Sequence, residues 1–359
     1  MTSWLSSPGA ADPGRVHTEG RIAREALESA RAAVAELLGT RPRQVVFTSG
    51  GTEAVNASVF GAWRARPDGV SVAAEVEHSS VREAAARLGR VESVSVDATG
   101  RIELDALDAL LDELSATGAT VALVHCQLAN HEVGTIQPAA EVVARCHARR
   151  LLVHVDACAA AGHVPLSIGE LDADLVSVSA HKLGGPPGIG ALIVRRGLRL
   201  EPLLAGGEQE RARRAGFENL PAAVGFGAAA SALLDGRLDE ERVRTRRLSD
   251  RLVDAACAVR GVELLGDPRA RLPHVVCVSV AGVEAEPVLL GLDQAGIAAH
   301  SGSSCSSESL APSPVLLAMG ADAERSLRLS VGWTTTEADV EAFATAFGPV
   351  VERLRGLRP

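Results

Sequence analysis

The chain has 359 residues, 47% of them hydrophobic and 23% charged, with a formal net charge of −9. That balance is globular and excludes a disordered or collagen-like chain, a disulfide-dense mini-domain and the basic face of a non-specific nucleic-acid binder. No uncharged apolar stretch reaches the ~20 residues of a membrane span, and the Ser/Pro/Gly-rich start lacks the apolar core of a secretory signal.

In chain order, short apolar runs at 45–47, 70–74, 91–96, 121–125, 151–155, 175–178 and 189–194 read as strands. Between them lie amphipathic patterns. Ile102, Leu104, Leu107, Leu110, Leu111 and Leu114 recur at helical spacing before the fourth run, and Ala139, Val142, Val143 and Cys146 before the fifth. Strands alternating with helices predict an α/β fold: a mainly parallel seven-stranded sheet with helices on both faces and right-handed crossovers. A charge-rich helical stretch follows from about 221 to 260, and its charges at 237–247 read as a solvated face. The pattern then changes to a strand at 275–280, a helix at 287–296, a short strand at 327–330 and a closing helix at 337–348. This predicts a smaller C-terminal α+β domain, with residues 1–240 forming the large domain and 241–359 the small one.

In open α/β sheets, ligands bind beyond the carboxyl ends of the strands. Polar residues collect there repeatedly. The first strand is followed by Thr48-Ser-Gly-Gly-Thr-Glu53, where two glycines before a helix could cradle a phosphate or merely form a turn. The second strand is followed by Glu75-Val-Glu-His78, and a lone His in such a place is usually structural. The fourth leads into Asn130-His-Glu-Val-Gly134. The fifth ends at Asp156, a carboxylate that costs energy unless a cation pairs it. The sixth runs into Ser179-Ala-His-Lys182.

Lys182 is the only lysine among 36 basic residues. Arginine stands wherever a positive charge alone suffices, yet it cannot replace an amine that must lose its proton and attack a carbonyl. A lysine kept at the end of a buried strand, beside a phosphate cradle and an acid, matches the needs of pyridoxal phosphate. The amine holds the aldehyde as a Schiff base, and a carboxylate keeps the pyridine nitrogen protonated.

Six cysteines form no CxxC pair, which predicts free thiols in a reducing cytoplasm and no metal site. Cys126, Cys158 and Cys277 lie in or beside apolar strands, and Cys146 and Cys257 in helical patterns. Cys305 alone sits in a Ser/Gly run without apolar neighbours, the setting of an accessible, reactive thiol.

The order and spacing of these motifs resemble the cysteine desulfurases, which are class V aminotransferases of the fold-type I pyridoxal phosphate enzymes. The resemblance runs from about residue 12 to 352. It rests on Phe47-Thr-Ser-Gly-Gly-Thr-Glu-Ala-Val-Asn56, Asn130-His-Glu-Val-Gly-Thr-Ile-Gln-Pro138 and His154-Val-Asp-Ala157. It continues through Ser179-Ala-His-Lys182, Gly206-Gly-Glu-Gln-Glu-Arg211, Ser301-Gly-Ser-Ser-Cys305 and Arg328-Leu-Ser-Val-Gly332. The resemblance implies that L-cysteine is converted to L-alanine while its sulfur passes, as a persulfide on Cys305, to an acceptor protein. It implies that Lys182 binds the cofactor aldehyde and that Asp156 pairs the ring nitrogen. His78 would stack on the ring and help move protons. Gly51, Thr52, Ser179 and His181 would hold the phosphate. Arg328, with Asn130, would bind the substrate carboxylate. It also implies a homodimer, without nucleic-acid or membrane partners.

Departures from the family pattern accompany the match. Only about a dozen residues precede the matching region, so a Thr-rich segment that usually lines the site is expected to be missing or supplied otherwise. Ala159 stands where a Gln usually meets the ring hydroxyl, and His131 where an Asn is common; His131 is expected to take over the contact with the ring oxygen. Phe217 replaces a common Thr and Trp333 a common Arg. Two other readings compete: a selenocysteine lyase or other class V lyase, which alanine release from the two amino acids would separate, and a non-catalytic scaffold, which would take up no cofactor.

Overall fold

The computed structural model describes residues 1–6, 11–301 and 312–357. Seven strands form the larger sheet: β1 (Val45–Thr48), β2 (Val70–Ala74), β3 (Val91–Val94), β4 (Val121–Gln127), β5 (Val153–Asp156), β6 (Leu175–Ser179) and β7 (Gly190–Val194). Their order is β1-β7-β6-β5-β4-β2-β3, and β7 alone runs against the others. Six of these strands are buried at every position, as strands covered by helices on both faces must be. The seven-stranded, mainly parallel α/β sheet is therefore as predicted.

A second, antiparallel sheet of order β10-β11-β9-β8 follows, built from β8 (Val262–Leu265), β9 (Val275–Val280), β10 (His300–Ser301) and β11 (Ser326–Ser330). Its apolar core gathers Leu248, Leu252, Val276, Val278, Val288, Leu292, Leu327, Phe343 and Phe347. Helix Arg237–Cys257 supplies Thr245, Leu248, Ser249, Leu252 and Ala256 to it, one stripe at spacings of three and four. The helix's arginines lie on the other side and pair with acids, Arg244 with Glu241 and Arg247 with Glu337.

Two sequence expectations need correction. The stretch from 221 to 260 is not one helix but two, Leu220–Ser231 and Arg237–Cys257. The break falls at Asp235 and Gly236, both left-handed (φ 56° and 82°), a conformation that cannot continue a right-handed helix. The closing helix extends to Gly356, eight residues beyond its predicted end, with Pro349 inside it.

A twenty-residue helix, Thr18–Leu37, went unread in the sequence. It is amphipathic, burying Ala23, Leu27, Ala30 and Val34, and His17 caps it by accepting the Gly20 N–H through Nδ1. Against it packs Leu220–Ser231. There a side chain on Gly227 would come within 2.6 Å of Ala30 Cα, so the crossing requires glycine.

Candidate active site

The carboxyl ends of β1, β2, β4, β5 and β6 open on one edge of the large sheet, because these strands run in one direction. Antiparallel β7 locks two of the exits together, since its first residue, Gly190, pairs with both Thr48 and Ser179. A Cβ at Gly190 would stand 2.6 Å from the Val178 carbonyl oxygen and 2.7 Å from the Gly50 carbonyl carbon. Only glycine permits the β1 and β6 exits to lie this close.

Helix Gly51–Ala65 starts at the β1 exit with no side chain capping its first turn from Gly50. Glu53 accepts the Ser49 N–H at 2.7 Å and is tied to Arg214 at 2.9 Å. Its carboxyl lies below the ordinary range; burial opposes this, and the bonds from Arg214 and Ser49 outweigh it. Gly51 backs onto the β5 and β6 exits, where a Cβ would meet Cys158 Sγ at 2.5 Å and Ser179 Cβ at 3.4 Å. Ser179 Oγ in turn lies 2.9 Å from His181 Nδ1. Gly51, Ser179 and His181 thus lie together at the positive end of the helix that continues with Thr52, where a phosphate is stabilised.

Asp156 closes β5 and is buried. Its Oδ1 accepts both the Cys158 N–H and the Ser177 hydroxyl, each at 3.0 Å. Both donors fall on one oxygen, which leaves Oδ2 for a cationic partner. Lys182 follows in the short helical turn Ala180–Leu183, ended by left-handed Gly184. Its carbonyl lies 2.7 Å from His163 Nε2, and His163 stacks on His274 of the second sheet's entry with ring centroids 3.6 Å apart.

On the other side of Asp156, the exits of β2 and β4 are stitched together at Val76, whose carbonyl accepts the side-chain amides of Gln127 (2.8 Å) and Asn130 (3.3 Å). His78 Nδ1 accepts the Ser80 N–H and caps helix Ser79–Leu88. His131 meets His78 edge-on, 4.9 Å between centroids. Asn130 is fully buried, and its Oδ1 accepts the N–H groups of Glu132 and Val133. Arg328 on β11 reaches across from the small sheet and donates to the His131 carbonyl at 3.1 Å. Strand β10, paired to Leu327 and Arg328, delivers the chain beside this point at Ser301. Cys305 lies outside the described residues.

Two groups at the site went unnoticed in the sequence. Cys158 is not one more core thiol: it follows Asp156 by two residues and lies against Gly51. Burial, and then the Asp156 charge, push its thiol well above the ordinary value, which keeps it neutral. Glu77 is buried and accepts the Gln127 N–H at 2.6 Å through Oε1, while Oε2 has no partner. Burial, then the neighbouring Asp156 charge, raise its carboxyl to about 8. The unfolded chain ionises near 4.5, so the folded state holds an extra proton between these values, and stability falls as pH rises through that window. Glu77→Gln removes the penalty. Its cofactor-free form is expected to match wild type in unfolding free energy near pH 4.5 and to exceed it by a few kcal/mol near pH 8, at about 1.4 kcal/mol per unit. Denaturant titrations across pH check this; a difference that does not change with pH contradicts it.

The donor set fits pyridoxal phosphate on its own geometry: an amine, a carboxylate with one oxygen kept open, a pair of imidazoles and a glycine-lined helix start, all on one edge. The family model described as aminotransferase class-V matches residues 5–343. A cysteine desulfurase, IscS 1, of Archaeoglobus fulgidus is 39% identical over 97% of this chain and 91% of its own length. A cysteine desulfurase of Nostoc sp. is 41% identical over 97% of this chain and 88% of its own. Among solved structures, a NifS-like protein of Rickettsia africae superposes with a TM-score of 0.85 at 29% identity, covering 95% of this chain and 92% of that one.

Proposed function

The chain belongs to the class V aminotransferase family and to its cysteine desulfurases, and from that membership we propose how its own residues convert L-cysteine to L-alanine with pyridoxal phosphate as cofactor. The observation that carries the proposal is the convergence of Lys182, Asp156 and the Gly51 helix start on one sheet edge, with Arg328 reaching it from the second sheet.

When bound, the cofactor joins the substrate amine and withdraws electrons from its α-carbon. Oδ2 of Asp156 holds the proton of the ring nitrogen, while Oδ1 stays occupied by Cys158 and Ser177. The N–H groups at Gly51 and Thr52, with Ser179 and His181, hold the phosphate. His78 borders the ring face, and His131 the ring oxygen. Arg328 pairs the substrate carboxylate. Asn130 adds a second contact through the amide hydrogen not given to Val76, which requires a small shift of its buried turn. Nζ of Lys182 would hold the cofactor aldehyde, and the same amine would serve as the base for the substrate α-proton. The Cys305 thiolate attacks the substrate sulfur; the new S–S bond forms as the sulfur's bond to the β-carbon breaks, and that carbon takes the electron pair and then a proton, equivalent to the one Cys305 gave up, to leave as alanine.

The division of labour extends to the two sheets. A large domain of 1–240 carries the cofactor contacts and a small domain of 241–359 carries Arg328 and Cys305. The cluster of Leu248, Val276, Val278 and Phe343 lies within 241–359 and supports a small domain, while the large cluster also takes in Cys277, Val315, Leu316, Met319 and Ala323. The working form is a homodimer, an inference from the family resemblance, in which exposed Phe217, Leu204 and Trp333 are candidates for coverage. The five described cysteines are free, in keeping with a reducing cytoplasm, and no helix among the described residues is long and apolar enough to cross a membrane.

Incubation with L-cysteine tests the reading. Alanine is expected to form, with one extra sulfur on Cys305 found by peptide mass mapping. Cys305→Ser is expected to bind cofactor normally, carry no persulfide at 305 and lose alanine formation by about 10²-fold or more. Persulfide formation elsewhere at the wild-type rate contradicts the assignment.

A further inference from the structure

The sheet register places four polar side chains in a row on one face of three adjacent parallel strands. His125 on β4 pairs with His154 on β5, and Asp156, two residues on, pairs with Ser177 on β6. Residues two apart on a strand share a face, so the four side chains meet. His125 Nδ1 lies 3.1 Å from His154 Nδ1, His154 Nε2 lies 3.1 Å from Ser177 Oγ, and Ser177 Oγ lies 3.0 Å from Asp156 Oδ1. None of the first three is exposed beyond 1%. A buried polar row among Val and Leu side chains is costly unless its bonds are made, and here they are made in sequence.

The direction of each bond follows from the last. An ionised carboxylate only accepts, so Ser177 gives its single hydroxyl proton to Asp156. Ser177 Oγ can then only accept from His154, which must carry its proton on Nε2. A neutral His154 therefore offers a lone pair at Nδ1, and His125 must donate to it from its own Nδ1–H. Nε2 of His125 is left bare, and that atom is the one without a partner. Burial holds both rings neutral, His125 far below its ordinary value and His154 at about 4. Because the row ends on a bare nitrogen with no outlet, it orients and does not conduct protons.

We propose that His125 is a positioning residue for the reaction: its Nδ1–H begins a one-way hydrogen-bond relay through His154 and Ser177 that fixes one oxygen of Asp156 and turns the other toward the cofactor. The relay's geometry is independent of the assigned function, but its role rests on the reading of Asp156 as the partner of the ring nitrogen.

The test uses the ¹⁵N-labelled full chain and pyridoxal phosphate titrations. Near neutral pH the cofactor-free protein is expected to show His125 as the Nδ1–H and His154 as the Nε2–H tautomer. In His125→Leu the donor is gone. Asp156 still holds the Ser177 hydroxyl, so His154 is expected to keep its Nε2–H tautomer, but its buried Nδ1 loses its donor and its ¹⁵N resonance is expected to shift, and cofactor affinity to fall roughly two- to tenfold, the weight of one neutral bond. His125→Asn, which keeps a side-chain N–H, restores the Nδ1 resonance of His154 and the affinity. A wild-type His154 protonated on Nδ1 overturns the relay, as does His125→Leu with unchanged affinity. Should His125→Leu not fold, the wild-type tautomers and His125→Asn still decide. An Asp156→Ala variant that binds cofactor as tightly as wild type overturns instead the assignment of Asp156, and leaves the tautomers as measured.

Discussion

Lys182→Ala is expected to lower alanine formation from L-cysteine by about 10³-fold or more, and Lys182→Arg to do no better. The side chain follows β6 on a four-residue turn between the Ser179 and Gly184 caps and lies at the surface of the chain, so truncating it removes no core packing. Unfolding free energy should stay within about 0.5 kcal/mol of wild type, as for surface changes generally. The loss is chemical. A guanidinium stays protonated and cannot form the covalent bond to an aldehyde, which is the reason one lysine persists in a chain that otherwise uses arginine. Steady-state alanine release, measured beside a denaturation curve, separates the two effects. Activity within tenfold of wild type would contradict the role.

The largest expected effect on stability lies at a buried ion pair beside β1. Arg31, on the unread N-terminal helix, is bound by Glu210 through two bonds of 2.6 and 2.8 Å, and both side chains are 2% exposed. Arg31 also donates to the Val45 carbonyl and lies over the Phe47 ring, while Glu210 accepts the Phe47 N–H at 2.9 Å. The pair therefore ties the helix and β1 to the segment at 210–212, where three successive non-glycine residues are left-handed (φ 49°, 61° and 59°). Such a conformation costs roughly 1–2 kcal/mol per residue and persists only when something holds it. Glu210→Gln leaves a buried guanidinium half-paired, and the expected loss is about 3–5 kcal/mol. Adding Arg31→Met removes the stranded charge and should recover part of that loss. Urea unfolding of the two single variants and the double variant measures it. Additive losses would contradict a coupled pair.

What could be read from the sequence was what local pattern and chemistry determine. Short apolar runs identified β1 to β7, and the polar residues following them marked the sheet edge. The lone lysine was visible by composition alone. Other features depend on neighbours distant in sequence. The helix Thr18–Leu37 carries the spacing 23, 27, 30, 34 that would have revealed it, but Arg31 in its buried face disguises the stripe until Glu210, 179 residues away, is seen to neutralise it. His125 and Ser177 look like isolated polar residues in apolar strands; only the register of β4, β5 and β6 joins them. Cys158 reads as core because alanines flank it, although Asp156 stands two residues before it, and Glu77 went unremarked because the Asp156 charge that acts on it belongs to another strand end. Helix 221–260 was over-extended because Asp235-Gly236, a left-handed pair, sits inside an otherwise unbroken alanine- and arginine-rich pattern.

The central claim is that the ε-amino group of Lys182 carries the cofactor covalently. Borohydride reduction of the pyridoxal phosphate-loaded protein, followed by proteolysis and mass mapping, tests it most directly. The expected result is a phosphopyridoxyl group on the peptide containing residue 182; a loaded protein whose reduced adduct lies elsewhere, or which yields none, would contradict the account.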